Sequence, residues 1–359
     1  MGFPTLKTYG ATPWKDSEKL ECVMVVPENA TTATFTFRAP SGAWFDYLPG
    51  QFMTLELPVP GGTVHRTYTI SSSPSRPLSI SLTVKAQAGS IGTRWMLDHL
   101  KPGMQIKAFG PAGIFSFAQH PAQKYLFISA GSGITPMMSM TTWLWDVGQE
   151  PDIAFVYAAR KPSEILFRER LEHMANRVPG IALHFVVEEL DPFRAWPGYR
   201  GRLNQIMLGL MASDYLEREV FCCGPEPFMQ GVREMLTALG YDMNRYHQES
   251  FQAPVHNEAE APELDDTVPE EGAKAEIVFA LSGITATCTE TDTVLGVAKA
   301  AGLNIPSGCT FGLCGTCKVK KTEGNVHMVH NGGISDEDIE DGYILACCSH
   351  PMGPVTVEV

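Results

Sequence analysis

Four cysteines restrict this chain more than any other feature. Cys309, Cys314 and Cys317 are separated by four and then two residues, and Cys347 follows after twenty-nine more. That spacing matches the plant-type ligand pattern of a [2Fe–2S] cluster, in which one loop supplies three thiolates and a fourth arrives from further along. Zinc is the rival for clustered thiols, but structural zinc favours two short paired steps, which four-then-two is not. Gly308, Gly312, Gly315 and Thr316 keep the loop small, as close approach of backbone amides to cluster sulfides requires. Cys348 sits beside Cys347, so the closing ligand is ambiguous between them. A one-electron carrier at one end of a chain needs a source of electrons, which the other residues should supply.

At 359 residues the chain suits two or three compact domains, and a 44% hydrophobic, 19% charged composition provides ordinary cores. A formal charge of -13 argues against nucleic acid, whose phosphates call for a basic face; a basic partner protein fits better. No apolar run is long enough to span a bilayer, and Met1 to Lys19 lacks the basic-then-apolar pattern of a signal peptide. Nine cysteines, an odd number with several in a metal-like constellation, fit ligating and free thiols in a reducing compartment. The expected location is therefore cytoplasmic.

Five segments are expected. Residues 1–20 lack periodicity and form an N-terminal extension. Residues 21–118 carry short strands at Cys22–Val26, Thr34–Arg38, Phe52–Leu57, Arg66–Ser71, Leu78–Lys85 and Met104–Ala108, punctuated by Gly and Pro, with a helix over about Thr93–His99. This rhythm suits a small antiparallel barrel. Residues 119–251 alternate apolar runs (Tyr125–Ser129, Ile153–Tyr157, Ala182–Val187, Glu219–Cys223) with helical stretches (Met137–Asp146, Ser163–Asn176, Leu203–Met211, Pro227–Leu239), the pattern of an α/β domain with a parallel sheet. Residues 252–273 are acidic and proline-bearing, an extended tether. Residues 274–359 hold strands at Ile277–Leu281 and Ile284–Thr289, a helix over about Val294–Ala301 and the cysteine loop.

Several motifs carry chemistry. In Arg66-Thr67-Tyr68-Thr69-Ile70-Ser71, strand alternation puts a guanidinium and an aromatic plane on one side, suited to a phosphate and a ring system; the plain alternative is an exposed strand. Gly89-Ser90-Ile91-Gly92-Thr93 opens a helix whose free amides favour a second phosphate. Gly110 to Phe115 is expected to close the barrel with a tight turn. Gly131-Ser132-Gly133-Ile134-Thr135-Pro136 makes a Gly-rich turn into a helix, suited to a pyrophosphate although it is not the full Rossmann fingerprint. Cys223-Gly224-Pro225 ends another strand, where ligands of parallel sheets sit.

These landmarks, in this order, resemble the ferredoxin-NADP reductase superfamily, and the C-terminal segment resembles plant-type ferredoxins. The combination is similar to the reductase component of a multicomponent oxygenase. Tyr343 to Ser349 and His330 to Ser335 are most similar to reductases serving Rieske oxygenases of quaternary ammonium compounds such as glycine betaine. The resemblance implies a multidomain fold: an antiparallel β-barrel binding FAD, an α/β nicotinamide domain and an α+β β-grasp ferredoxin domain. It implies that Arg66, Gly92 and Thr93 meet flavin phosphates, with FAD favoured over FMN. Tyr68 would pack on the flavin ring, and Thr69, Ile70, Ser71, Val84, Lys85 and Phe251 would line its site. Gly131, Gly133, Thr135, Cys223, Gly224 and Pro225 would hold the nicotinamide nucleotide. Thr69, Cys223 and Glu249 are the implied catalytic set, although a buried strand-end thiol is the plain account of Cys223. Cys309, Cys314, Cys317 and Cys347 are the implied metal ligands, since Cys347 continues the family's Leu-Ala-Cys pattern.

Hydride enters as a pair of electrons, and a [2Fe–2S] cluster takes one at a time; a flavin handles both. The expected function is transfer from NADH, or NADPH if Arg160 after Tyr157 greets a 2′-phosphate, through FAD and the cluster to a Rieske oxygenase. A di-iron oxygenase or hybrid-cluster protein is the alternative partner, and a non-catalytic zinc-binding or redox-sensing protein the alternative class. Cys22, Cys222 and Cys288 are expected to be buried thiols. His247 is expected to be a surface or core residue, and the ten histidines show no metal-binding spacing. Asp336, Glu337, Asp338, Glu340 and Asp341 are either a solvated face or a guide for a basic partner.

Overall fold

The computed structural model describes residues 12–86, 89–148, 151–192, 195–251, 269, 272–305, 307, 312, 315, 317–330, 333–334 and 336–359. Most of the acidic tether and the ligand candidates Cys309 and Cys314 lie outside these, as do most of residues 1–20. The chain forms two compact units, one of residues up to 252 without 65–67, the other of the remainder.

The first unit begins with β1 (Leu20–Asn29), β2 (Thr32–Arg38), β3 (Phe52–Val59), β4 (Gly62–Thr69), β5 (Ile80–Lys85), α1 (Ile91–His99) and β6 (Gln105–Ala112). The strands form a six-stranded sheet in the order β4-β3-β6-β1-β2-β5. Just past β4, Ile70 bridges Leu82 of β5 and the Ser71 amide donates to Ser81 O at 2.8 Å, so the two ends of the sheet meet. Inward side chains fill the barrel: Phe35, Phe37, Met53, Leu55, Leu57, Ile80 and Leu82 are all buried. Each such side chain contributes roughly 1.5–3 kcal/mol of burial free energy, enough to fix which face of each strand turns inward. The expected tight turn at Gly110 is instead strand: β6 runs through Gly110 and Pro111, and Ala112 pairs with Phe52. A neighbouring strand outweighs the local turn signal there.

Next come β7 (Lys124–Ala130), α2 (Ile134–Asp146), β8 (Asp152–Ala159), α3 (Arg168–Arg177), β9 (Ile181–Val187), β10 (Tyr199–Arg200), α4 (Gln205–Met211), β11 (Glu219–Cys223), α5 (Glu226–Ala238) and β12 (Tyr246–Glu249). The sheet is parallel throughout, in the order β10-β9-β8-β7-β11-β12. Strand order reverses at β7, which makes its carboxyl end a crevice between neighbouring loops. The helix expected from Ser163 begins only at Arg168, because Phe167 takes a left-handed conformation (φ 53°) that breaks the helix ladder. β10 and β12 went unanticipated: two and four residues are too short to display a period.

The second unit contains β13 (Lys274–Phe279), β14 (Ile284–Thr289), α6 (Val294–Ala300), β15 (Lys318–Met328), α7 (Asp336–Glu340), β16 (Tyr343–Leu345) and β17 (Ser349–Val357). Its mixed sheet runs β14-β13-β17-β15-β16, with β13 and β17 parallel, and α6 packs on it through Val294, Val297 and Ala298. This is the β-grasp arrangement. Thr293 caps α6 by accepting the Gly296 amide at 3.1 Å. Cys22 and Cys222 are buried as expected, whereas Cys288 is only half-buried, on edge strand β14. Among the described residues no helix is long and apolar enough to cross a membrane.

Candidate functional site

The Gly-rich turn and the Cys223 turn, far apart in sequence, meet at the carboxyl ends of β7 and β11. A Cβ on Gly133 would lie 2.2 Å from Cys223 O and 2.6 Å from Gly224 N, so no side chain fits. After Ala130 the chain makes one 3-10 turn over Gly131–Gly133 and continues as α2. Thr135 Oγ1 donates to Ser132 O at 3.1 Å and Tyr157 Oη to Gly131 O at 3.0 Å, holding the turn from both sides. The amino end of a 13-residue helix, where the helix dipole is positive, thus faces the crevice.

Across the same sheet end, register aligns Ser129 with Cys223 and Cys223 with Glu249. All three are buried, and Thr69 at the end of β4 is buried with them. Thr69 Oγ1 donates to Glu249 Oε2 at 3.3 Å, joining barrel and α/β domain. Burial pushes the Glu249 carboxyl up to about 8, although the Thr69 hydrogen bond opposes the shift. Burial also pushes the Cys223 thiol well up, with the neighbouring Glu249 adding to it. Both are therefore neutral near pH 7. The Ser129 hydroxyl is buried and has no hydrogen-bond partner among the described residues. The expected catalytic set of Thr69, Cys223 and Glu249 is thus brought together, with Ser129 an addition that no local pattern announced.

Beside this row opens a cavity of about 520 Å³, lined by Lys85, Ala130, Gly131, Arg160, Glu164, Glu188, Arg202, Pro225 and Phe228 among others. Its mouth is charged on both signs. Arg160 binds Glu164 through Nε and Nη2 at 3.0 and 2.7 Å, Lys85 lies 3.7 Å from Glu164, and Arg202 lies 3.9 Å from Glu188. Glu164, Glu188 and Arg202 were not anticipated, because only the folded strand ends gather them. A deep, largely preformed cavity at a strand-order reversal fits a nicotinamide nucleotide, with the α2 N-terminus for its pyrophosphate.

The barrel residues fit a flavin less evenly. Arg66 and Tyr68 are half-buried on edge strand β4, Tyr68 packing on the barrel core. Gly92 and Thr93 are buried in the first turn of α1, which Ser90 caps. Ile70 and Val84 point into the core, so only their main chain can meet a cofactor. The Ser71 hydroxyl is engaged with Ser81 O and Thr83 Oγ1, both at 3.0 Å. Phe251, half-buried, packs against the α/β core. Two contacts outside the expected set tie the domains: Ser139 Oγ donates to Ser72 O at 2.6 Å, and Arg76 pairs with Asp146 at 2.7 Å.

In the second unit, Cys317 and Cys347 are buried side by side. The Gly312 amide donates to Cys347 Sγ at 3.3 Å, and the Cys347 amide to Cys317 Sγ at 3.4 Å. Amides aimed at sulfur stabilise thiolates, so this donor set fits an iron–sulfur cluster. Cys348 turns elsewhere: it is half-buried, and its thiol donates to Leu345 O at 3.7 Å. Gly312 has φ +73°, and a Cβ there would come within 2.8 Å of both Cys348 Sγ and His330 Cα. Of the acidic residues nearby, Asp338 is paired with Lys318 at 3.0 Å.

Comparison with known proteins gives three family matches: the oxidoreductase FAD-binding domain over residues 20–117, the oxidoreductase NAD-binding domain over 127–234 and the 2Fe-2S iron-sulfur cluster binding domain over 279–352. The chain is 67% identical to the stachydrine N-demethylase reductase subunit of Rhizobium meliloti (strain 1021), over 96% of this chain and 97% of that one. It is 45% identical to the glycine betaine monooxygenase reductase subunit of Pseudomonas aeruginosa (strain UCBPP-PA14), over 96% of each. Among solved structures, phthalate dioxygenase reductase matches with a TM-score of 0.60 at 21% identity, over 96% of this chain and all of that one.

Proposed function

Because the chain belongs to the family of flavin- and [2Fe–2S]-containing reductase subunits of demethylase and monooxygenase systems, we propose that it carries electrons from NADH to a Rieske oxygenase that N-demethylates a quaternary ammonium betaine. The observation that carries this reading is the meeting of Thr69, Glu249 and Cys223 beside the cavity, which puts flavin-side and nicotinamide-side residues within one unit. Stachydrine is favoured over glycine betaine as the partner's substrate, because identity to the stachydrine relative is 67% against 45%. We place the domains at 21–118 (FAD), 119–251 (nicotinamide) and 274–359 (ferredoxin), with 1–20 an extension and 252–273 a linker.

When bound, a flavin accepts hydride from reduced nicotinamide and releases electrons singly, and the cluster relays them. The protein's own part is to bind and orient. Arg66 and the amino end of α1 at Gly92 and Thr93 would hold the FAD phosphates, and Tyr68 would pack against its ring. Gly131, Gly133 and the positive end of α2 would take the nicotinamide pyrophosphate, with Thr135, Cys223, Gly224 and Pro225 at the ring end. Glu249, neutral at pH 7, keeps a proton next to Thr69 without placing a charge beside the hydride path. Cys309, Cys314, Cys317 and Cys347 would ligate the cluster. NADH is placed before NADPH because the Arg160 guanidinium is already held by Glu164, so a 2′-phosphate would have to compete with that pair.

An anaerobic titration tests this reading. NADH should bleach flavin and iron–sulfur bands together, NADPH much more slowly, and the reduced protein should then reduce a stachydrine-demethylating Rieske oxygenase faster than a glycine betaine one. Failure to reduce any Rieske protein would overturn the partner, and a colourless purified protein would restore the zinc reading.

A further inference from the structure

Folding brings together three side chains that have no part in the electron path. Glu219 opens β11, His247 is second in β12, and His120 lies on the connection between β6 and β7. The parallel register of β11 and β12 puts Glu219 and His247 on one side of the sheet, and His247 Nε2 lies 2.7 Å from Glu219 Oε1. The imidazoles of His120 and His247 stack at 3.6 Å between centroids, with Phe221 packed against both. One potential ligand atom from each of the three lies within 4.8 Å of the other two. This cluster sits at the amino ends of the strands, whereas Gly131, Cys223 and Glu249 sit at the carboxyl ends.

We propose that His120, Glu219 and His247 bind one divalent transition-metal ion, with Zn²⁺ or Cu²⁺ best suited to two imidazoles and a carboxylate. In a tetrahedral zinc shell ligand atoms lie roughly 3.4 Å apart, and these three atoms lie within 4.8 Å of one another, so the stacked imidazoles must turn toward a common point to close the site. The ion takes the place of the hydrogen bond between His247 and Glu219. The other oxygen of Glu219 is already oriented by Arg245 Nε at 3.2 Å, and the Arg245 guanidinium is anchored by Leu216 O and Glu217 O, an outer layer of the kind that fixes metal ligands. Half-burial of all three leaves an entry path and room for a water as fourth ligand. A bound ion would pin the barrel-to-sheet connection to β12, the strand that ends in Glu249.

The test uses the full chain loaded with flavin and cluster. Equilibrium dialysis against Zn²⁺, with zinc and iron counted, should give one bound Zn²⁺ per chain and unchanged iron; His120→Ala and His247→Gln should bind roughly tenfold more weakly or worse. In the oxidised protein, whose cluster is EPR-silent, added Cu²⁺ should show coupling to two nitrogens, reduced to one in His120→Ala. Equal zinc uptake in wild type and both variants, no uptake, or a copper spectrum without two-nitrogen coupling would overturn the site. If a variant loses its flavin band as well, the copper spectrum of the wild type decides.

Discussion

The two units hold their redox sites by opposite means. In the ferredoxin unit the proposed ligands come from one loop and one later residue, so spacing along the chain nearly determines the site. In the reductase unit Thr69, Ser129, Cys223 and Glu249 come from four strands, and only the closed barrel and the order β7-β11-β12 bring them into a row. Local spacing builds a site that tolerates change in the surrounding fold but not in its ligands. A site assembled by topology depends instead on the packing between turns. Damage to each unit should therefore fail in a different way.

The largest expected effect breaks the first half of that contrast. Cys347→Ser should abolish the iron–sulfur bands and electron delivery to the oxygenase, while NADH-driven reduction of a small dye acceptor at the flavin persists. Cys348→Ser should keep both near wild type, since the Gly312 amide points to Cys347 Sγ and not to Cys348. Iron content, visible spectra and the two assays decide it. Retention of the cluster in Cys347→Ser with its loss in Cys348→Ser would reverse the assignment.

The second half is tested at Gly133, where the two turns touch. Gly133→Ala puts a methyl group 2.2 Å from Cys223 O, where backbone and not a flexible side chain must yield. Overpacking of this kind costs about 1–3 kcal/mol, here felt as separation of the two turns. NADH affinity and flavin reduction rate should fall by about tenfold or more for each 1.4 kcal/mol, with the iron–sulfur spectrum unchanged. Stopped-flow reduction by NADH measures it, and wild-type rates would show that the turns are not held by contact.

The same contrast explains what could be read from the chain alone. The cysteine spacing, the Arg66-to-Ser71 strand and the Gly131 turn each pack their meaning into a few consecutive residues. Apolar runs such as Tyr125–Ser129 announced the buried strands for the same reason. β15 stayed hidden because Lys318, Lys320, Lys321 and Glu323 dilute its few apolar positions, and its place between β17 and β16 is decided by pairing partners. Asp146, Ser129, Glu188 and His120 were invisible for a deeper reason: each acquires its role from a residue far away in sequence. His247 looked ordinary until the connection carrying His120 folded over it.

The smallest effect expected probes how burial tunes one member of the row. Glu249 is protonated in both folded and unfolded states below about pH 4.5, its ordinary value. As pH rises toward about 8 the unfolded chain releases the proton while the folded one keeps it, so the unfolded state binds fewer protons and stability falls. The loss is confined to that window and levels off above it. Glu249→Gln keeps the hydrogen bond from Thr69 but has no proton to lose. Its unfolding midpoint, followed by the rise in flavin fluorescence on release, should drop less between pH 5 and 8 than that of the wild type. Parallel pH profiles for the two proteins would mean that Glu249 is ionised beside Thr69 at neutral pH, and that the row carries a charge next to the hydride path.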